Sequence, residues 1–489
     1  MTAAEVTSSS ALLWTRAPKA GSAFVEVARN AKFRRLNRAK VSAPAANDRT
    51  VHVTARHLRS NTRYFYRFRQ GKSRSPVGRF VTAPKAGARK SFTFAYSGDA
   101  DAQSAQYSTT PFYNNFQAYR SMAKENNAFN INLGDTIYSD TEVGGSTVNG
   151  VFVPGFVART VPEKWAKYKM NLGLSNLRRV RASTGMFNHW DDHEFINDFS
   201  LAENGQPIYD AGQKAFRDYM PVTFSKSRGI YRTVRWGKNA ELFFLDERSF
   251  RSAKADDACI NPQTNAPDLA PTLPPAQRAA YSAIAPSLSA PVSAQCLATI
   301  NDPSRTVLGA AQLQRFTNAV KASKAKWKII VNEYPIQQFY ALPYDRWDGY
   351  EPERQKVLQT LSSVKNAVVL TTDTHANLFH DAHFHTLEAG GVQESGVPEM
   401  VTGPAATKTF RVEINEAVGR PDAGDLVRGI FKAPPPNGVG MDCAVIGTYS
   451  YTQVKVTPTQ LTLSPKDLNG KPLKESEGNA CGPFKLAAK

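Results

Sequence analysis

Four segments of this chain place carboxylate and imidazole side chains directly after short apolar stretches. The apolar stretches have the length of buried strands, and segments with helical spacing lie between them. This alternation predicts a mixed α/β fold with parallel strands, in which ligands bind where the strands end. The four segments are Ser97-Gly98-Asp99-Ala100-Asp101, Gly134-Asp135-Thr136-Ile137-Tyr138, Trp190-Asp191-Asp192-His193-Glu194 and Thr371-Thr372-Asp373-Thr374-His375.

Side chains of this kind at several strand ends indicate a metal centre. Carboxylates that share one pocket repel each other unless cations lie between them. A single segment has a simpler interpretation: a Gly-Asp pair is usually a turn, Asp191 and Asp192 can cap a helix, and His375 can be a hydrogen-bonded core residue. Four such segments, in order along the chain, are much harder to explain by turns and caps alone.

The remaining sequence after residue 87 supplies strands and helices around these segments. Strands are predicted over 92–96, 129–133, 241–245, 327–331 and 367–371, and a hairpin over 452–463. Helices are predicted over 111–126, 309–325 and 353–361, with Phe112, Phe116, Tyr119 and Met122 on one face of the first. Two long segments, 139–165 and 255–305, break the pattern. Segments of this kind are usually functional or disordered.

Residues 1–86 have a different pattern. Short alternating stretches separated by turn residues predict strands over 10–16, 23–28, 51–55, 64–68 and 78–82. We therefore expect a small all-β, fibronectin-III-like sandwich over 1–86, followed by a larger α/β domain over 87–489. Two domains also suit a chain of 489 residues, which is longer than one hydrophobic core usually spans.

The formal net charge of +19 favours anionic partners. The basic residues are spread along the chain without a dense Lys/Arg run, so we expect no stable nucleic-acid complex. The charge either serves solubility or attracts phosphorylated substrates. No run of about 18 apolar residues is present, and we therefore expect no transmembrane helix.

The chain has four cysteines, and none has the spacing of a zinc site. The simplest pairing is Cys259–Cys296 and Cys443–Cys481, which suits an oxidising compartment. Four free thiols in a cytosolic protein are the alternative. The first residues have neither a basic flank nor an apolar run, so we expect no signal peptide in this sequence.

Taken together, these motifs identify a family resemblance that covers nearly the whole chain. The sequence resembles the PhoD-like alkaline phosphatases, within the calcineurin-like metallophosphoesterase superfamily. This resemblance implies a four-layer β-sandwich flanked by helices, with the small N-terminal domain in front. Its anchors are the Gly134 and Trp190 segments, Asn197-Asp198, Leu245-Asp246-Glu247-Arg248, Leu308-Gly309-Ala310, Trp347-Asp348-Gly349-Tyr350 and Asp373-x-His375.

The resemblance also implies which residues bind metal. Asp135 would bridge two ions and Tyr138 would ligate an iron(III). The full implied ligand set is Asp99, Asp135, Tyr138, Asp192, Asp373 and His375. Well-known members carry a cysteine where this chain has Asp99, and a carboxylate is a harder ligand than a thiolate. Fe³⁺ and Ca²⁺ are the family expectation, and the substitution opens the site to other divalent metals.

Three further residues receive catalytic roles from the resemblance. His193 would contact the phosphate and assist the leaving group, and Arg248 would hold the phosphate with its planar fork of donors. Asn197 is a further expected site residue. Glu333 follows the strand over 327–331, where the superfamily often has another ligand. His380, His383 and His385 either form an auxiliary metal site or serve as polar surface residues.

The sequence therefore predicts a metal-dependent hydrolase of phosphate esters, acting on monoesters or diesters through an activated water. A nuclease or a phospholipase-like phosphodiesterase is the alternative within the superfamily. A non-enzymatic, metal-stabilised adhesion protein is the alternative from another class. The cysteines and the resemblance place the protein outside the cell, in the periplasm or at the cell surface.

Overall fold

The computed structural model describes residues 1–105, 108–141, 143, 146–148, 151–153 and 156–489. Part of the predicted irregular segment 139–165 therefore lies outside the described residues. Within the described residues, no helix has both the length and the apolar character needed to cross a bilayer.

The N-terminal region is all β, as predicted. Its strands are β1 Thr2–Ala4, β2 Ala11–Arg16, β3 Gly21–Ala28, β4 Asn37–Ala43, β5 Thr50–Ala55, β6 Arg63–Gln70, β7 Ser73–Arg74 and β8 Gly78–Val81. One sheet contains β4, β3, β6 and β7 in that order, with β8 paired to β6. The other three strands join a larger sheet built mainly by the following region. The fibronectin-III-like sandwich and its boundary at residue 86 stay predictions.

The larger region alternates strands and helices. Its strands are β9 Phe92–Ser97, β10 Phe129–Leu133, β11 Ser146–Val148, β12 Val151–Val153, β13 Gly185–His189, β14 Arg232–Trp236, β15 Ala240–Phe244, β16 Ile260–Asn261, β17 Ala266–Pro267, β18 Trp327–Val331, β19 Ala367–Thr371, β20 Asn377–His385, β21 Gln393–Val401, β22 Cys443–Val445, β23 Ser450–Val456, β24 Gln460–Asp467 and β25 Phe484–Ala487. Strands β10, β18 and β19 have the bounds that the sequence predicted. Their residues are buried without interruption, as in parallel strands covered on both faces.

The helices are α1 Gln117–Met122, α2 Val161–Gly173, α3 Ser175–Ser183, α4 Leu201–Tyr219, α5 Pro275–Tyr281, α6 Ala294–Ile300, α7 Ala310–Ala322, α8 Glu351–Ser362, α9 Phe410–Val418 and α10 Ala423–Lys432. The helix predicted over 111–126 is wrong in its first half. Phe112 is 58% exposed, and Phe116 has a left-handed backbone with a φ of 57°. The Asn114 side chain accepts the Phe116 amide at 2.7 Å, so a side-chain turn replaces the expected first helical turns.

Two large sheets organise the core. The first runs β25-β24-β23-β9-β10-β13-β1-β2-β5, and the second runs β14-β15-β18-β19-β21-β20-β22. Strands β9, β10 and β13 are parallel neighbours, as are β15, β18 and β19. The carboxyl ends of each set therefore meet at one edge of their sheet.

Alternating side chains of β18 show how the sheets are covered. Ile329 and Val331 belong to a core cluster that draws residues from both sheets. Ile330 points the other way, into a cluster with Phe316 of α7 and Leu358 of α8. A third cluster joins the first sheet to α1 and α3. Helices therefore cover the outer faces of two sheets that pack on each other.

Both predicted disulfides are present. Cys259–Cys296 ties the chain ahead of β16 to α6, and Cys443–Cys481 ties β22 to the segment before β25. The segment 255–305 is thus a cross-linked unit with two short helices of its own, α5 and α6.

We expect the double variant Cys443→Ser, Cys481→Ser to lose about 4 kcal/mol of stability, the chain entropy associated with a loop of this length. The cysteines are 38 residues apart, and both are buried in the core between the sheets. Urea unfolding without reductant would measure the loss. An unchanged midpoint would show that the bond constrains nothing in the unfolded chain.

Candidate metal centre

The four predicted segments converge at the carboxyl ends of the parallel strands. Asp99 follows β9 and Asp135 follows β10 in the first sheet, while Asp373 and His375 follow β19 in the second. All four residues have left-handed backbones, with φ between 45° and 60°. Such conformations cost roughly 1–3 kcal/mol each and are typical of functional sites.

Two glycines make this close approach possible. A Cβ atom at Gly98 would lie 1.9 Å from the Leu133 carbonyl oxygen, and one at Gly403 would lie 2.5 Å from the Asp99 carboxylate. The backbone around Asp99 therefore tolerates no side chain at either position.

Asp99, Asp135 and His375 form the first group of ligand atoms. One ligand atom from each lies within 4.8 Å of the others, and all three side chains are buried. Neither carboxylate oxygen of Asp99 has a hydrogen-bond partner among the described residues. Burial raises the pKa of the Asp99 carboxyl to about 8, although the charge of His375 opposes the shift. A buried carboxylate without partners is the environment that a cation would complete.

Tyr138 and Glu413 complete this side of the site. The Tyr138 hydroxyl lies 3.1 Å from His375 Nε2, and His375 Nδ1 lies 2.5 Å from a carboxylate oxygen of Glu413. A carboxylate on the second ring nitrogen is the usual way to orient a metal-binding histidine. Glu413 lies in α9, and no sequence signal connected it with His375.

Asp135, Asp192 and His193 form a second group, again with ligand atoms within 4.8 Å. Asp135 thus belongs to both groups, which is the place predicted for a residue that bridges two ions. The predicted ligand Asp373 belongs to neither group. It faces two arginines instead, with Arg248 Nη2 and Arg346 Nε each 3.8 Å from its carboxylate.

His193 is held by Asp140, a residue that the sequence reasoning missed. His193 Nδ1 lies 2.6 Å from Asp140 Oδ1, and the other oxygen of Asp140 accepts the backbone N–H of Asn197 at 2.6 Å. Burial lowers the pKa of the His193 imidazole, but Asp140 and Asp192 outweigh it and raise that pKa well above its ordinary value. The available signal was a carboxylate two residues after Tyr138.

A cavity of about 940 Å³ opens onto these residues. Asp135, Tyr138, Asp192, His193, Asp373 and His375 line it, together with Asn197, whose side chain is exposed there. Three cationic side chains also line it: Arg159, Arg346 and Lys408. No sequence motif pointed to these cations, although Arg346 directly precedes the Trp347 anchor.

Arg248 lies beneath the cavity and is not among its lining residues. The side chain is fully buried. Its Nε donates to Asp191 at 2.6 Å, and its Nη1 donates to both oxygens of Asp345 at 2.9 and 2.8 Å. Nη2 lies 2.5 Å from Asp191. The structure thus places the guanidinium among protein carboxylates, with Nη2 also 3.8 Å from Asp192 and from Asp373.

Protein cations balance a further acidic group, formed by Asp192, Asp198 and Asp345. Lys254 donates to Asp198 at 2.9 Å, and Arg251 joins Arg248 on Asp345. This group therefore has counter-charges from the chain itself, unlike Asp99.

Two family models match this chain. A model described as PhoD-like phosphatase matches residues 102–430, and one described as PhoD-like phosphatase, N-terminal domain, matches residues 2–84. The chain belongs to the PhoD-like phosphatase family. The match over residues 102–430 includes every residue of the ligand groups described above except Asp99.

Individual relatives extend this assignment. Alkaline phosphatase D of Bacillus subtilis (strain 168) is 27% identical over 386 residues, which are 73% of this chain and 59% of that protein. The chain thus spans less than two thirds of that relative. The solved structure of PhoD has a TM-score of 0.72 at 22% identity and covers 99% of this chain and 87% of its own. A purple acid phosphatase from yellow lupin has a TM-score of 0.55 at 10% identity, over 99% of this chain and 73% of its own. Both solved structures share the fold of this chain.

A buried group lies next to Arg248 in this PhoD-like chain. It contains His189, Glu247 and Glu333, all inaccessible to solvent. Glu333 was predicted as a possible further ligand of the main site, but its carboxylate lies with Glu247 and His189, whose Nδ1 is 3.2 Å away. Both oxygens of Glu333 and one of Glu247 have no hydrogen-bond partner among the described residues.

We expect Glu247→Gln to raise stability at pH 9 and to leave it unchanged or lower at pH 5. Burial raises the pKa of the Glu247 carboxyl from 4.5 to about 8. Its contribution to stability is complete below about pH 4 and is lost as the pH rises through 8, because the unfolded chain releases this proton first. Thermal unfolding of both proteins from pH 5 to 9 tests this. Parallel pH profiles would contradict it.

The histidines after the last motif do not extend the metal centre. His380 lies 3.1 Å from Glu399, and His383 lies 3.2 Å from the Thr386 hydroxyl. Within the part of the chain that the structure describes, none of the groups with metal-ligand geometry includes His380, His383 or His385.

Proposed function

We propose that this chain hydrolyses phosphate esters, monoesters or diesters, at the centre formed by Asp99, Asp135, Tyr138, Asp192 and His375. The observation that carries the proposal is the buried Asp135, which belongs to two ligand groups, beside an Asp99 carboxylate without hydrogen-bond partners among the described residues. Membership of the PhoD-like phosphatase family supports the same chemistry.

The donor set fits metal ions. We propose that Asp99, Asp135, Tyr138 and His375 hold a ferric ion, since a buried phenol and two carboxylates are hard oxygen ligands. Asp135 and Asp192 would hold a second ion, for which Ca²⁺ is the family expectation, and Asp373 stands beside them at the cavity wall. When bound, such ions neutralise the charge of the ester and lower the pKa of water.

The chain's own residues supply proton transfer and substrate binding. His193 lines the cavity and has Asp140 on its Nδ1, an arrangement that favours the imidazolium form and would place its other ring nitrogen to protonate the leaving oxygen. Arg346 and Lys408 line the same cavity and offer positive charge to the ester oxygens. Arg248 would then be a positioning residue, because its hydrogen bonds hold the carboxylates of Asp191 and Asp345 in place. Asn197 orients Asp140 through its backbone N–H.

Two features beyond the site belong to the same proposal. The two disulfides support export to an oxidising compartment, outside the cell or in the periplasm. The N-terminal-domain match over 2–84 and the sheet formed by β3, β4 and β6 support a fibronectin-III-like unit over 1–86.

The test is hydrolysis of p-nitrophenyl phosphate and of bis-p-nitrophenyl phosphate, with and without a chelator. We expect turnover of at least one ester, loss of turnover on chelation and recovery with metal. Elemental analysis of the purified protein identifies the ions. Bound metal without turnover of either ester would contradict the proposal and favour a metal-stabilised binding protein.

A further inference from the structure

A second pocket adjoins the metal cavity, and its walls are almost entirely apolar. It lies between the core cluster around Phe431 and the cluster around Leu288. Leu269, Leu273, Ile284, Leu288, Phe339 and Ile430 are among its lining residues. The phosphate chemistry proposed above requires no such surface.

The pocket and the metal cavity are adjacent. Leu342 and Ala417 line both of them. Helix α9 forms a wall between the two: its Glu413 and Glu416 face the metal cavity, whereas its Ile414 faces the apolar pocket. A molecule whose phosphate lies at the metal centre would therefore reach the apolar pocket past Leu342 and Ala417.

The two tyrosines in the lining do not make the pocket polar. The Tyr281 hydroxyl donates to the Asn437 carbonyl at 2.7 Å, and the Tyr340 hydroxyl donates to Glu388 at 2.8 Å. Both hydroxyls are thus engaged with protein acceptors. An occupant would meet carbon atoms on nearly every side and would need no hydrogen-bonding groups of its own.

The pocket is narrow. Its volume of about 80 Å³ corresponds to roughly five to eight water-sized groups, at 10–15 Å³ each. A linear alkyl chain of similar length fits this space, because each methylene is about the size of one such group.

The walls are held firmly. Residues 269–288 belong to the segment that the Cys259–Cys296 disulfide closes. Arg278 forms a buried ion pair with Asp268 at 2.8 Å, and the Leu342 amide donates to the Leu269 carbonyl at 2.8 Å. Tyr340 and Leu342 have left-handed backbones at the boundary with the metal cavity. A strained, anchored boundary of this kind is typical of ligand-binding positions.

We infer that the apolar pocket binds an alkyl chain of the substrate, and hence that the substrates of this chain include amphiphilic phosphate esters. This inference rests on the proposed hydrolase function and specifies its substrate class. The metal cavity would bind the charged phosphate of a substrate molecule, and the adjacent apolar pocket would bury the alkyl chain of the same molecule. Each buried methylene then raises kcat/KM by up to about fourfold.

The first experiment compares n-alkyl phosphates from ethyl to decyl, below their micellar concentrations, by release of inorganic phosphate. If only diesters are hydrolysed, methyl n-alkyl phosphates replace them. We expect kcat/KM to rise by roughly 100-fold or more up to about six to eight carbons and then to level off. Rates that agree within threefold over the series would overturn the inference.

Substitutions in the lining of the pocket test whether the pocket causes the dependence of kcat/KM on alkyl-chain length. Ala285→Phe fills the pocket from a buried position, and Ala417→Phe narrows its junction with the metal cavity from an exposed one. In both we expect the ratio of octyl to ethyl kcat/KM to fall below 10. Ala280→Phe, on an exposed position of α5 outside the lining, is the matched control and should keep the ratio. An unchanged ratio in folded Ala417→Phe would overturn the inference.

Binding separates this inference from the proposed function. Calorimetry with methylphosphonate and n-octylphosphonate on the metal-loaded protein requires no turnover. Tighter binding of the octyl compound, lost in Ala285→Phe, would support the pocket even if no ester were hydrolysed. Equal affinities together with active hydrolysis would reject the pocket and leave the hydrolase function intact.

Discussion

Replacing Asp135 with asparagine is expected to lower kcat/KM for phosphate-ester hydrolysis by about 10²–10³-fold, the scale seen when one preorganised electrostatic contact is removed. Asp135 belongs to both ligand groups, so the substitution weakens both at once. Asparagine is nearly isosteric and tolerates the left-handed backbone that Asp135 adopts, with a φ of 45°. The loss should therefore be chemical rather than structural.

Stability should change in the opposite direction. Burial raises the pKa of the Asp135 carboxyl well above its ordinary value, and the charges of Asp191 and Asp192 raise it further, although His193 opposes them. A neutral amide removes that repulsion when no metal is present. We expect the metal-free variant to have a Tm equal to or above that of the metal-free native chain. This combination of lower activity and unchanged or higher stability is typical of a functional site.

Activity, metal content and thermal unfolding of Asp135→Asn measure these expectations. Asp257→Asn, which changes an exposed carboxylate just before Cys259, is the matched control and should leave all three unchanged. Activity of Asp135→Asn within tenfold of the native chain, with metal still bound, would mean that the centre of the chemistry lies elsewhere.

The sequence predicted the strand ends of this site better than it predicted their surroundings. Strands such as β10 and β19 are buried on both faces, so they appear as uninterrupted apolar runs, and the polar residues after them are conspicuous. The positions of Asp135, Tyr138 and His375 after strand ends could therefore be predicted from local pattern. Their convergence follows from parallel pairing, which a strand–helix alternation implies.

The residues that hold these ligands could not be identified in the same way. Glu413 orients His375 from a helix 38 residues further along the chain, and Asp140 orients His193 across 53 residues. Residues separated by 38 or 53 positions produce no recognisable periodicity or motif in the sequence. Single acidic residues in helices and loops are common, and only the tertiary structure shows which of them face an imidazole.

The role of Arg248 could not be decided from the sequence either. A guanidinium can hold a phosphate or compensate buried carboxylates, and the residue type fits both. The structure gives it Asp191, Asp345 and Glu333 as neighbours, the last at 3.4 Å. Local sequence cannot distinguish the two roles, because they differ only in what lies opposite the side chain.

We therefore expect Arg248→Ala to destabilise the fold by about 3–5 kcal/mol, because removing one partner of a buried ion pair leaves uncompensated charge. Asp191 is the residue most affected, since Asp345 keeps Arg251. Arg248→Lys should recover part of the loss, but a single ammonium cannot contact both Asp191 and Asp345 as the separate nitrogens Nε and Nη1 do. Urea unfolding with the metal-loaded and metal-free protein measures both variants.

A comparison of Arg346→Ala with Arg248→Ala distinguishes a residue that binds the ester from one that stabilises the fold. Arg346 lines the cavity, and its Nε lies 3.8 Å from Asp373, too far for a strong ion pair. We expect a stability change of at most about 1 kcal/mol and an increase in KM of roughly tenfold, corresponding to about 1.4 kcal/mol of lost ester binding. If Arg248→Ala instead keeps native stability and only raises KM, Arg248 reaches the substrate and the resemblance-based role is correct. If Arg346→Ala leaves KM unchanged, Arg346 has no part in ester binding, and the bound ions, Lys408 or Arg159 supply the positive charge that the ester meets in this cavity.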